Sequence, residues 1–373
     1  MKIKIQTLTP VHIGSGREIQ SGYEYAYFRD EQKVALLDSE KIIKLIGEDQ
    51  IGAWISCIEK SQPLLDLPQL KNRAPKLRSD DVAQRSILSH GSCNKPVREQ
   101  LRTGGEHALL PGSSLKGALR TVVFGETLVA NPKLVKDKGN LGKVDFRGGF
   151  RWSDSPLQKT IFGQDPNHDI FRLLQVGDAH FEQTEIFKTQ IVNMKGKAWI
   201  IDKGDKGNGI SAEAWVEALP PNAEAIAEIR FNETLKTQAD KFNTFNSNAT
   251  KLKLPSLFKL ANAFTERLLN DEITYWTTKA DPPEGFDEYV PELKRLLDIT
   301  KSAAETECVL RIGWGSGFRS MTGDWQGEME DDDYDALVNS LRSRKYEGLM
   351  FPKTVRFSGE GVPLGFVKLL IQN

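Results

Sequence analysis

The 373-residue sequence is 39% hydrophobic and 27% charged with a formal net charge of −1, the profile of a globular protein and not of a polycation or a disordered tail. No apolar run reaches the ~18 residues of a membrane span, and the opening "MKIKIQTLTP" alternates like a strand and not like a signal peptide. Cys57, Cys93 and Cys308 are odd in number and far apart, which argues against a disulfide framework or a cysteine zinc site and for a reducing cytoplasm.

Ile3 and Ile5 alternate with Lys2, Lys4 and Gln6, the pattern of a half-buried strand. It runs into "LTPVHIGSGRE", where a proline, a histidine, two glycines and an arginine follow one another. "YEYAYF" and "KVALLD" flank "RDEQ" as a hairpin, and "SEKIIKLIG" is a short helix with Ser39 as its cap and Gly47 as its end. Residues 61–105 are polar, basic and weakly periodic, and read as an extended, mobile insertion. "LPGSSLKGALRTVVFGETL" is the best helix start in the chain. Pro111-Gly112 makes a turn, Ser113 or Ser114 can cap, and Leu115, Ala118, Leu119, Val122 and Val123 form one buried stripe with Lys116 and Arg120 on another face.

A Gly/Lys-rich loop at 137–149 precedes "IFGQDPNHDIFRLLQVGDAHF", a turn and a strand-like run. "VNMKGKAWIIDKGDKGNGISAEAWVE" reads as a hairpin with a long glycine-rich tip. Beyond Pro255 the pattern is helical, with a stripe of Leu257, Leu260, Ala261, Phe264 and Leu268 and a second helix over "DEYVPELKRLLDI". Strands return with "ECVLRIGWGSGF" and "PLGFVKLLIQN". Strands and helices in mixed order, without regular βα alternation, predict an α+β fold. Charge is uneven: residues 71–120 carry ten Lys/Arg against four Asp/Glu, and residues 281–335 carry five against fifteen. Such asymmetry suits one face for a polyanion and another for a protein partner, and equally two solvated faces.

Three stretches carry chemistry. A helix start at 112–120 offers backbone N–H groups to an anion, with Lys116 and Arg120 beside them. It lacks the G-x-x-x-x-G-K-[ST] pattern, so a nucleotide triphosphatase is not indicated. "RIGWGSGFRS" places three glycines between Arg311 and Arg319. Successive glycines can nest an anion, and Trp314 and Phe318 can stack on bases; a tight bend among core aromatics is the plainer reading. His12 can act as a general base, but sequence identifies no partner for it. No His-x-x-x-His spacing marks a zinc site, and "EMEDDDYD" at 328–335 matches no EF-hand, so neither a metal nor a cofactor is expected.

"LTPVHIGSG", "LPGSSLKGALRT", "FRLLQVGDA" and "IGWGSGF", in that order, resemble the RAMP proteins, the RNA-binding subunits of CRISPR effector complexes. Length, block order and the closing "GLMFPKTVRF…PLGFVKL" are most similar to the fifth-subunit family of type III-A (Csm) complexes. The resemblance spans essentially the whole chain. It implies a ferredoxin-like (RRM-type) RAMP core with insertions at residues 1–220, and a degenerate, partly helical second half at 221–373. It implies a non-catalytic, cytoplasmic ribonucleoprotein subunit in antiviral defence, which caps the 3′ region of CRISPR RNA and assists its maturation. Its partners would be that RNA, the neighbouring backbone and small subunits and, indirectly, target RNA, with no membrane.

Carried over by residue, the N-terminal block maps onto His12, Gly14, Ser15 and Gly16, the helix start onto Gly112, Ser113, Ser114, Lys116, Gly117 and Arg120, and the late loop onto Gly313, Gly315 and Gly317; Arg17, Arg311 and Arg319 beside them are further candidates. All are expected to contact or shape contacts to an RNA backbone, with residues 61–105 as a thumb pressing on the RNA. Related backbone subunits that cleave RNA use an acidic residue on an early loop, near Asp30 and Asp38 here. The competing reading is therefore a CRISPR-associated endoribonuclease acting on precursor or target RNA. It would be metal-independent through His12, or metal-dependent through Asp30, Asp38 or the acids of 328–335.

Overall fold

The computed structural model describes residues 1–60, 77–104, 107–137, 141–146, 149–195, 198–202, 213–242, 244–329 and 354–372, together with Gln62, Leu70, Asp332 and Tyr334. Thirteen elements position the candidate site: β1 (Lys2–Thr7), β2 (Gly14–Ile19), β3 (Ala83–His90), β4 (Val97–Gln100), α1 (Gly112–Ala130), β5 (Glu185–Lys195), β6 (Ala214–Ala218), β7 (Glu224–Phe231), α2 (Leu254–Thr278), α3 (Tyr289–Lys301), β8 (Glu307–Arg311), β9 (Thr354–Ser358) and β10 (Phe366–Gln372).

Period-two alternation places β1 at the centre of the first sheet. Ile3 and Ile5 are fully buried, whereas Lys2 is exposed. The sheet runs in the order Leu174–Val176, β7, β1, β10, β8, and every pair is antiparallel. Ile5 lies opposite Ala225 on β7 and Leu369 on β10, so one face is uniformly apolar. On that face pack Leu115, Leu119, Val122 and Val123 of α1 and Leu257, Phe258 and Ala261 of α2, in one core with Ile3 and Ile5. Each fully buried aliphatic side chain contributes roughly 1.5–3 kcal/mol. Helices on one face of an antiparallel sheet make this an α+β fold with a ferredoxin-like core.

The second sheet has ten described strands, with β2, β4, β6, β5, β3 and the hairpin Lys33–Leu37 and Tyr25–Phe28 along its main path. β5 pairs in parallel with β3, and β6 with β4. β5 also pairs with β9 and with Ala198–Ile201. An aromatic cluster of Trp199, Trp276, Phe286, Tyr289 and Phe357 ties α2 and α3 to this sheet.

Several expectations differ from what is observed. Within the stretch read as insertion, Ala83–His90 and Val97–Gln100 are strands of the ten-stranded sheet and Arg102–Thr103 is a strand of a three-stranded one. In β3 only Ala83, Ile87 and Ser89 are buried, and the small and polar pair among them hides the alternation from a hydropathy reading. Ser39 is the first helical residue rather than the cap; Asp38 Oδ1 accepts from the N–H groups of Glu40 (2.9 Å) and Lys41 (3.3 Å). Neither Ser113 nor Ser114 caps α1. Pro111 holds the cap position, and the Gly112 N–H instead donates to Asp178 Oδ1 at 2.7 Å. A Cβ on Gly112 would come 2.1 Å from the Val176 carbonyl oxygen, so only glycine lets the helix start sit against that strand. Residues 63–69, 71–76, 203–212 and 335–353 lie outside the described residues. So do most of the acids of 328–335 and about a third of the thumb expectation.

Candidate nucleic-acid interface

Residues 8–13 leave β1 and are stitched to three distant parts of the chain. The N–H groups of Leu8 and Thr9 donate to the Phe366 carbonyl at 2.8 and 3.3 Å, Val11 exchanges backbone bonds with Leu219, and the Trp314 N–H donates to the His12 carbonyl at 2.9 Å. The N-terminal block and the late glycine loop, about 300 residues apart in sequence, are therefore one structural unit. Gly313 makes the contact possible: its φ is +79°, and a Cβ there would stand 2.6 Å from the His12 carbonyl oxygen.

His12 itself is 2% exposed. Its Nδ1 lies 2.6 Å from the Glu217 carbonyl oxygen, so Nδ1 carries the proton and donates, leaving the Nε2 lone pair free. Burial holds the ring below its ordinary pKa of 6.5, only partly countered by that hydrogen bond and by the Glu217 charge. A neutral, buried imidazole accepts a hydrogen bond and gives no positive charge to a phosphate. Beneath it, the fully buried Glu217 carboxylate takes Arg85 Nη1 at 3.1 Å, Arg102, and the Thr184 hydroxyl at 2.7 Å. Ser15 and Arg17 rim a polar crevice of about 810 Å³ whose lining includes Arg85 and Arg102.

The basic side chains singled out in the sequence are mostly committed within the protein. Arg17 pairs with Glu24 and, at 3.6 Å, with Glu99. Arg120 Nη1 reaches both Asp169 oxygens, at 3.0 and 2.7 Å, and its guanidinium stacks 3.7 Å over the Phe162 ring. Arg311 meets Glu272 at 3.6 Å and donates to the Leu364 carbonyl. Burial works against the charge of Arg319, yet Asp324 and Asp271 keep its pKa above the ordinary value. Lys116 differs: it meets no carboxylate at ion-pair distance among the described residues, and burial lowers its pKa despite Asp169 nearby. Gly16 and Gly117 face open space, with nothing within 4 Å of an added Cβ.

Sequence reasoning missed Arg98 on β4 and Arg356 on β9. Both guanidiniums lie over the ring of Trp314, at 5.0 and 4.4 Å from its centroid, and the His12 ring meets Trp314 edge-on. Each sits in a short stretch without periodicity, so only their neighbourhood in space could have marked them. The three blocks are not all in one place: α1 packs on the first sheet, whereas His12, Trp314, Arg98 and Arg356 join where β2, β4 and β9 meet the glycine loop. On the open face of the first sheet, Lys4 pairs with Glu224 at 2.7 Å and Ile226 is 45% exposed. No described aromatic side chain of β1 or β7 stands there to stack on a base. Asp30 stands at the tip of a hairpin and Asp38 caps a helix, and among the described residues no three His, Cys, Asp or Glu side chains gather as metal ligands.

A family model of the RAMP superfamily matches residues 4–320. The chain is 24% identical over 339 residues to the CRISPR system protein Csm5 of Methanocaldococcus jannaschii, covering 86% of this chain and 72% of the relative. It is 26% identical over 149 residues to Csm5 of Enterococcus italicus, covering 33% of this chain and 42% of the relative. Its fold is similar to a chain of a type III-A Csm–crRNA–target RNA ternary complex, with a TM-score of 0.66, 21% identity, and 99% and 100% of the two chains covered. The crystal structure of T. onnurineus Csm5 gives a TM-score of 0.59 at 20% identity with the same coverage.

Proposed function

The chain belongs to the RAMP superfamily, and on that premise we propose that it is a crRNA-binding subunit of a type III-A CRISPR effector complex that caps the 3′ region of the guide and does not itself cut RNA. The observation that carries this reading is the union of His12–Arg17 with the glycine loop at 313–317 through the Trp314–His12 backbone bond. It sets exposed backbone at Gly14 and Gly16 beside a tryptophan and two arginines. A guide strand is gripped through phosphate, ribose and shape so that its bases stay free to pair, and glycine, serine and arginine suit that task. The N-terminal block, the helix start with Lys116 and Gly117, and the late loop are the proposed RNA contacts. Neighbouring backbone and small subunits are the proposed protein partners, with target RNA held indirectly. A neutral His12 without a described acid partner favours gripping over cleavage.

The test is to purify the protein with its neighbouring gene products and ask whether a short RNA of uniform length co-purifies; its absence overturns the proposal. Incubation with repeat RNA in EDTA covers the non-catalytic half. Specific cleavage abolished by His12→Ala would show a metal-independent nuclease. Cutting that needs Mg²⁺ or Mn²⁺ and is lost in Asp30→Asn or Asp38→Asn would show a metal-dependent one.

A further inference from the structure

Arg98 and Arg356 have one carboxylate between them among the described residues, and it is held across an exposed surface. Arg356 donates to Thr189 Oγ1 at 3.0 Å and meets no carboxylate at ion-pair distance among the described residues. Burial, and then the charge of Arg98, push its pKa down to about 10. Arg98 has one carboxylate, Glu18 at 3.6 Å across an exposed surface, and its buried Nε has no hydrogen-bond partner. Other arginines meet buried or closer acids: Arg85 and Arg102 share the buried Glu217, Arg319 has two aspartates, and Arg120 has Asp169. Two like charges over one indole repel each other, and their cation–π attraction only partly offsets this. An anion between them turns the repulsion into two charge-assisted contacts, and a guanidinium fork matches the oxygens of a phosphate. The exposed strand of Gly14, Ser15 and Gly16 runs alongside, paired with β4, and gives a polynucleotide backbone room to approach.

We propose that Arg98 and Arg356, held over Trp314, seat one phosphodiester of bound RNA. This rests on the RNA-binding reading above and adds to it two arginines that are not among the residues carried over from the family.

Binding of a labelled oligouridylate by the full chain is measured across a salt series for the wild type, Arg98→Gln, Arg356→Gln and the double variant. If both arginines hold one phosphate, each single variant loses most of the effect. The double variant binds about tenfold more weakly, and its slope of log K against log salt is shallower by about 0.7. Melting temperature guards against misfolding: relief of the repulsion leaves the variants as stable as the wild type or more so. As a probe independent of RNA, inorganic sulfate at matched ionic strength raises the wild-type melting temperature more than that of the double variant. Unchanged affinity and slope, with an equal sulfate effect, overturn the seat and leave the RNA-binding reading intact. A wild type that fails to bind RNA at any salt overturns that reading and the seat with it.

Discussion

The start of α1 and the junction of β2, β4 and the glycine loop both gather glycine, serine and basic side chains, yet they dispose of charge in opposite ways. At α1 the apparent anion site is already in use: Asp178 takes the first N–H and Asp169 takes Arg120. At the junction the inner half places the buried Glu217 between two arginines, while the outer half keeps two arginines over the Trp314 ring. The difference teaches that a basic residue in a family-like block is no guide to free charge. What matters is whether the fold brings a carboxylate to it.

The largest test of this contrast is Glu217→Ala, which leaves Arg85 and Arg102 without their shared buried carboxylate. A loss of about 3–5 kcal/mol in urea unfolding is expected; a neutral outcome would mean that the inner half is not held by charge. Next comes Arg120→Ala, which removes both the Asp169 pair and the stack on Phe162, for about 2 kcal/mol of stability. RNA affinity at a temperature where the variant is folded is expected to change little, whereas Lys116→Ala weakens binding without destabilising. A reversed pattern would restore Arg120 to the RNA face.

His12 supplies a pH signature of the junction. The unfolded chain takes up a proton near the ordinary value of 6.5, while the buried ring resists it, so stability falls as pH drops through and below that value. The slope from this one group is at most about 1.4 kcal/mol per pH unit, and it should vanish in His12→Gln. Equal slopes in the two proteins would show that the ring titrates freely. The smallest effect is Gly117→Ala, on an exposed helical position with open space around it. It should raise stability by about 0.5–1 kcal/mol, read from thermal melting. If the RNA backbone passes over this glycine, the same change weakens RNA binding.

Much of the architecture was legible in the residues. The stripe from Leu115 to Val123 and the alternation of Ile3 and Ile5 mark α1 and β1, because burial on one face leaves a period in the sequence. β3 and β4 were not legible, because Ser89 and Gln100 are buried polar residues within them. The glycine loop and the His12 block could each be singled out, but their contact is a tertiary hydrogen bond that no local pattern encodes. The pairing of Arg120, Arg311 and Arg319 was hidden for the same reason: Asp169, Glu272 and Asp324 reach them from other elements or through a local turn. Arg98 and Arg356 were overlooked because nothing near them in sequence shows that their partners are missing.

The seam between β1 and β10 has a kinetic consequence. Lys2 lies opposite Gln372, and the hydrogen bond from the Phe366 N–H to Thr9 Oγ1 joins residues 357 apart. Closing so long a loop costs about 5 kcal/mol of chain entropy before any contact repays it, and such non-local pairing slows folding. The same seam anchors residues 8–13, from which His12 reaches Trp314. During synthesis, therefore, the junction stays unassembled until the β10 segment has been made. A nascent chain that has only its helices and its second sheet has no formed grip, so competence to hold RNA coincides with completion of the first sheet.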